Sequence, residues 1–145
     1  MSIEVSNMLP ADSAAVREIL RDSDLSVDLE AELARSWAVR LVARIEGQPS
    51  PVGFLLAWQA ADELHLTDLG TRSGFRRRGV GRALVSALLS HARAVGARLV
   101  VLELRRSNVA AQSLYEGLGF VVSGERKGYY SDPGEDAVEM RLDLR

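Results

Sequence analysis

The chain contains no cysteine, which excludes a disulfide scaffold, a thiolate metal site and a cysteine nucleophile together. Its two histidines, His65 and His91, lie far apart in sequence, so a histidine-rich metal centre is not expected and no metal is assigned. Any catalysis then rests on carboxylates, hydroxyls and backbone groups. Lysine is nearly missing as well, Lys127 being the only one. A net charge of -2 removes the global electrostatic case for a nucleic-acid partner. No apolar stretch approaches membrane-spanning length, and no basic segment followed by an apolar run opens the chain. The expectation is a cytoplasmic protein without a membrane partner.

What is present is a chain of 145 residues, enough for one compact domain with its own core. Without repeat, linker or low-complexity segment, residues 1–145 read as a single domain, monomeric or homodimeric. Ile3 to Met8 alternates as a strand. LPADSAAVREILRDSD reads as a helix with Pro10 and Asp12 as start signals and Val16, Ile19 and Leu20 on its inner face, and Asp28 to Arg35 as a weaker second helix. Ala38 to Ile45 and Val52 to Trp58 form a hairpin around EGQPSP. Leu64 to Thr71 is the next strand, followed by a helix with Val80, Leu84, Leu88 and Val95 on one face. RLVVLEL is apolar enough for a strand covered on both sides. Asn108 caps the helix NVAAQSLYEGLG, which stops with Gly119 in the C′ position. Phe120 to Glu125 and Ala137 to Leu142 close the chain as strands around SDPGED.

The charge that exists is local: Arg72, Arg76, Arg77, Arg78 and Arg82 crowd into eleven residues. Four of them lie within GFRRRGVGRAL, a glycine turn opening a helix, where free amides and the helix dipole suit an anion. A nucleoside-triphosphate loop requires Gly-Lys-Ser/Thr, and the chain has Gly81-Arg82-Ala83. A dinucleotide fold has the right strand, turn and acid (Glu103), but Leu84 takes the third glycine position and too little chain remains.

R-x-x-G-x-G at Arg76 to Gly81, a strand ending in Glu103, and RSNVAAQSLYEGLGF together resemble the acetyl-coenzyme A core of the GNAT superfamily of N-acetyltransferases. The resemblance spans roughly residues 52–142. It implies an α/β GNAT fold, with a mixed sheet of about seven strands, about four helices, and a strand pair splayed at the acetyl-coenzyme A site. It further implies that the amides of Arg77, Arg78, Gly79, Val80, Gly81 and Arg82 hold the coenzyme A pyrophosphate, with Arg76 beside them. Leu69, Thr71 and Asn108 would pair with pantetheine.

An amine attacks a thioester as its free base, yet an α-amino group titrates near ~8 and a lysine near ~10.4, so a base must remove a proton. Glu103, the only ionisable residue between Leu99 and Leu104, fits that base if its strand is buried and desolvated. Otherwise it sits at a frayed strand end paired with Arg105 or Arg106. Asp68 is the competing carboxylate on the acceptor side. Tyr115 is either core packing or, as the resemblance implies, the acid near the coenzyme sulfur.

GERKGYYSDPGEDAVEM and LELRRSN are similar to the RimI-type branch, the ribosomal-protein-alanine N-acetyltransferases. That likeness implies a protein N-terminus as acceptor, with Tyr129 and Tyr130 walling a peptide groove. The alternatives are a small amine such as a polyamine or aminoglycoside, and a coenzyme A binding module without catalysis. DSDLSVDLEAEL replaces the aromatic segment that lines the acceptor site in relatives.

Overall fold

A computed structural model describes residues 2–22, 29–34, 38–131 and 134–144. Strands β1 (Ile3–Asn7), β2 (Ala38–Ile45), β3 (Gly53–Ala60), β4 (Glu63–Thr71), β5 (Leu99–Arg105), β6 (Val121–Ser131) and β7 (Gly134–Asp143) form one sheet of seven. Its order is β1-β2-β3-β4-β5-β7-β6. Only β4 and β5 run parallel. Helices α1 (Ser13–Asp22), α2 (Leu29–Ala34), α3 (Val80–Ala94) and α4 (Val109–Gly117) complete the mixed α/β architecture. Among the described residues no helix is long and apolar enough to cross a membrane.

Helix α1 starts where expected because Pro10–Asp12 forms a 3-10 turn before it, and the buried Asp12 accepts from Leu9 N at 2.9 Å and Arg44 Nη2 at 2.5 Å. Burying a carboxylate is costly unless it is paired and hydrogen-bonded, and Asp12 is both. Val16, Ile19 and Leu20 of α1 pack with Leu29 of α2 on Val42, Phe54 and Leu56, one face of the sheet. On the other face α3 buries Val80, Leu84, Val85, Leu88, Leu89 and Ala92, the stripe of a helix half in the core. Val95 does not belong to that stripe. It follows the last helical residue, is exposed, and gives its place to Ala92.

The expected closing strands are longer than their apolar stretches suggest, since pairing continues from Val121↔Arg141 to Ser131↔Gly134. β7, not β6, lies against β5, through Leu99↔Asp143 to Arg105↔Ala137. The expectation that β5 is covered on both faces holds for Leu99 and Val100 and fails beyond them. From Val101 to Arg105 buried and half-buried residues alternate, because α1 and α2 lie over β2 and β3 and leave this face of β5 open.

Two features of β4 open the sheet. Pairing with β5 stops at Leu66↔Leu102, so β4 leaves its neighbour after four residue pairs. Opposite β3, Leu56 pairs with Asp68 and Ala57 with Leu66, which leaves Thr67 as an extra residue whose Oγ1 donates to Leu56 O at 3.0 Å. The extra residue shifts the alternation: Leu64 and Leu66 point to the α3 face, and so does Leu69. Gly70 then turns to the α1 face, where a Cβ would come within 2.5 Å of Phe54 Cε1.

Candidate active site

The glycine turn lies at the open end of the β4–β5 gap. Arg77 (φ 63°) and Gly79 (φ 85°) both adopt left-handed backbone, which winds the chain into the start of α3. The first helical bond of α3 runs from Ala83 N to Gly79 O at 3.0 Å, so the amides of Val80, Gly81 and Arg82 have no acceptor within the helix. Among the described residues they have no other acceptor, which suits an anion. A cavity of about 590 Å³ opens here, lined by Leu69, Gly70 and Thr71 of β4, Arg76, Arg77, Gly79, Gly81 and Arg82 of the turn, and Asn108, Ala110, Ala111 and Leu114. A Cβ on Gly81 would stand 3.4 Å from Leu114 Cδ2 and 3.7 Å from Leu69 Cδ2 and would narrow that cavity. Among the described residues no carboxylate pairs with Arg76, Arg77 or Arg82, so their charge is available to phosphates. Asn108 Oδ1 meanwhile accepts from Ala111 N at 3.2 Å, so it caps α4 as well as lining the cavity. These features fit a long ligand with a diphosphate at the turn and an extended arm along β4.

Arg78 and Val80 turn their side chains away from the cavity, which is compatible with the expected role of their amides. The Arg78 guanidinium lies 5.3 Å from the centre of the Phe75 ring, and Val80 is buried in the core, so each offers only its backbone to the turn.

On the opposite face of the gap a second cavity of about 430 Å³ is lined by Trp58, His65, Leu66, Thr67, Val101, Leu102, Glu103, Arg126, Tyr129 and Glu139. Trp58 and His65 stack at 4.7 Å and form one wall. Glu103 projects into it from β5 with its side chain 27% exposed, less enclosed than a doubly covered strand would make it. Its partner is Arg126 of β6, with Nη2 3.6 Å from Oε1. Arg105 and Arg106 are turned elsewhere: Arg105 Nη1 lies 3.6 Å from Glu135, and Arg106 pairs with Glu125. Glu103 Oε2 is buried and has no hydrogen-bond donor among the described residues. A buried acceptor without a donor is uncommon, and a ligand N–H would satisfy it.

Tyr115 lies on α4 with its ring buried and edge-on to Phe120 at 5.6 Å. It does belong to the core, as helical spacing suggests. Burial also pushes its hydroxyl from an ordinary pKa of 10.0 up to about 12, so it holds its proton at any neutral pH. Below pH 10 folded and unfolded chains are both protonated here. Between pH 10 and about 12 the unfolded chain releases its proton first, so stability falls as pH rises. The loss attributable to Tyr115 is about 2–3 kcal/mol across that window. Alkaline unfolding followed by circular dichroism is expected to show this slope in the wild type and to lose it in Tyr115→Phe; equal slopes would place the hydroxyl in water.

Of the remaining expected site residues, Tyr129 lines the Glu103 cavity, half-exposed, with the Arg126 guanidinium 5.3 Å from its ring centre. Tyr130 lies in β6 in register with Glu135. Asp68 is half-buried on β4 and lines neither cavity. Half of DSDLSVDLEAEL, residues 23–28, lies outside the described residues; its first residue ends α1 and its last five belong to α2. The sequence reading missed Trp58, His65, Thr67, Arg126 and Glu139. A signal existed for Glu139, since an acid between apolar neighbours in VEM has the same form as Glu103 in LEL.

Comparison with known proteins identifies the family of the chain. The sequence profile of the acetyltransferase (GNAT) family matches residues 9–120. A Bacillus subtilis (strain 168) protein provisionally named a ribosomal protein bS18-alanine N-acetyltransferase is 31% identical over 143 residues, covering 88% of this chain and 93% of its own. The ribosomal protein bS18-alanine N-acetyltransferase of Escherichia coli (strain K12) is 37% identical over 93 residues, 63% of each chain. The crystal structure of the ribosomal-protein-S18-alanine N-acetyltransferase from Escherichia coli superposes with a TM-score of 0.88 at 27% identity, covering 99% of this chain and 94% of that one.

Proposed function

This chain belongs to the acetyltransferase (GNAT) family and is an acetyl-CoA-dependent N-acetyltransferase, and we propose that its acceptor is the α-amino group at the N-terminus of a protein. The observation that carries this reading is the end of β4–β5 pairing at Leu66↔Leu102. Past that point Leu69 and Thr71 serve the arginine-rich cavity, while Thr67 and Glu103 serve the cavity on the other face. One gap in the sheet thus has an arginine-rich cavity on one side and a carboxylate on the other, an arrangement that suits transfer between two substrates. The names of the relatives supply the class of acceptor.

Acetyl-CoA supplies the activated acetyl thioester. In this reading the amides of Val80, Gly81 and Arg82 and the side chains of Arg76, Arg77 and Arg82 bind its diphosphate, and Leu69 to Thr71 orient its pantetheine along the free edge of β4. Glu103 takes the proton from the incoming ammonium, so that the neutral nitrogen can attack. Tyr115 holds a proton for the departing sulfur. A peptide seated against Trp58 and Tyr129 gains contacts that orient its amine, which a polyamine or a free amino acid lacks.

A short peptide with N-terminal alanine is therefore expected to exceed spermidine in kcat/KM by about 10-fold or more, the worth of one or two added hydrogen bonds. Tyr129→Ala is expected to remove most of that advantage. Steady-state kinetics with both acceptors tests this, and a preference for spermidine would overturn the peptide reading while leaving the family assignment intact.

A further inference from the structure

On the reading of the Glu103 cavity as the acceptor site, we propose that Glu139 is a positioning residue that, with Glu103, receives the acceptor's ammonium group as a pair of carboxylates. The two acids are direct cross-strand neighbours, Glu103 on β5 and Glu139 on β7. Their apolar neighbours Leu102, Leu104, Val138 and Met140 all enter the core beneath α3. Period-two alternation therefore sends both carboxylates to the opposite face, and both line the same cavity.

Fold stability does not account for this pair. Like charges directly opposite one another on adjacent strands are destabilising. The structure nevertheless holds Glu139 in place. Ser123, the extra residue where β6 pairs Val122 with Met140 and Gly124 with Glu139, donates its hydroxyl to Glu139 Oε1 at 2.8 Å.

Two further observations point to a cation at this spot. Glu103 Oε2 is buried without a hydrogen-bond donor among the described residues, and an ammonium carries three donors. The cavity wall also accepts one positive charge already, because Arg126 approaches Glu103 Oε1 at 3.6 Å while lying over Tyr129. Two carboxylates facing one such cation leave a net negative charge for a second. The ammonium would lie between the two carboxylates, and the proton that leaves passes to Glu103, the acid on the strand nearer the sheet opening. Glu139 thus binds and orients without taking the proton.

Steady-state kinetics of Glu139→Gln with an N-terminal alanine peptide tests the assignment. KM for the peptide is expected to rise about 10-fold, the size of one charge-assisted hydrogen bond, with kcat within about 2-fold of wild type. KM for acetyl-CoA should not move, which also reports an intact fold. The same peptide with its amino group replaced by hydrogen is then used as a competitive inhibitor. Its Ki should be equal for wild type and Glu139→Gln, because it has no ammonium to lose. An unchanged peptide KM, or a Ki that rises as much as the KM, overturns the role of Glu139. Trp58→Ala separates the two levels of inference. If it raises the peptide KM while Glu139→Gln does not, only the Glu139 proposal falls; if neither variant raises it, the cavity is not the acceptor site and the acceptor reading falls too.

Discussion

Glu103→Gln is expected to lower kcat by about 10²-fold or more near neutral pH, because it keeps the shape of the side chain and removes its ability to take a proton. The fold should tolerate the change. Glu103 loses a single ion pair with the exposed Arg126, and such pairs are worth at most about 1 kcal/mol. The amide can still accept a hydrogen bond at the buried Oε position, so acceptor binding should fall much less than turnover. Measured kcat and KM for the peptide, beside a thermal melt, separate these effects. Near-wild-type turnover in Glu103→Gln, with loss in Asp68→Asn, would transfer the role of base to Asp68. Of the two competing carboxylates Glu103 projects into a cavity and Asp68 does not, which favours Glu103.

Tyr115→Phe is expected to reduce kcat by about 10²-fold, the lower end of what a positioned general acid contributes. Ring packing on Phe120 survives the change, so the melting temperature at neutral pH and the KM for acetyl-CoA should stay close to wild type. A residue that acted only through its ring would give the opposite result, with full turnover in the phenylalanine variant. The raised pKa suits the assigned role because a hydroxyl that titrates near 12 is reliably protonated when the thiolate departs. It also makes Tyr115 a poor base, which leaves proton removal to a carboxylate.

Much of the arginine-rich cavity was legible in the chain because its determinants are local. Gly79 and Gly81 shape a turn within a few residues, Asn108 caps the helix that it precedes, and Gly119 ends that helix with φ 104°. Each depends on backbone conformation and on hydrogen bonds spanning three or four positions. The arginine cluster is local too, although its members diverge: Arg76, Arg77 and Arg82 line the cavity, and Arg78 rests on Phe75.

The Glu103 cavity was less legible because strand pairing assembles it from distant segments of the chain. RLVVLEL reads as doubly covered, and its apolar content carries no record of where α1 and α2 will lie. The extra residue at Thr67 changes which side chains of β4 face each cavity, and one residue of register cannot be read from an apolar pattern. Arg126, Tyr129 and Glu139 reach Glu103 only because β7 inserts between β5 and β6. Composition and short motifs thus established which groups are available, namely carboxylates, a tyrosine hydroxyl and a glycine-arginine turn, together with the family. Sheet order and register chose which of those groups meet, because a strand's neighbours are set by distant segments competing to pair with it and to bury its apolar face.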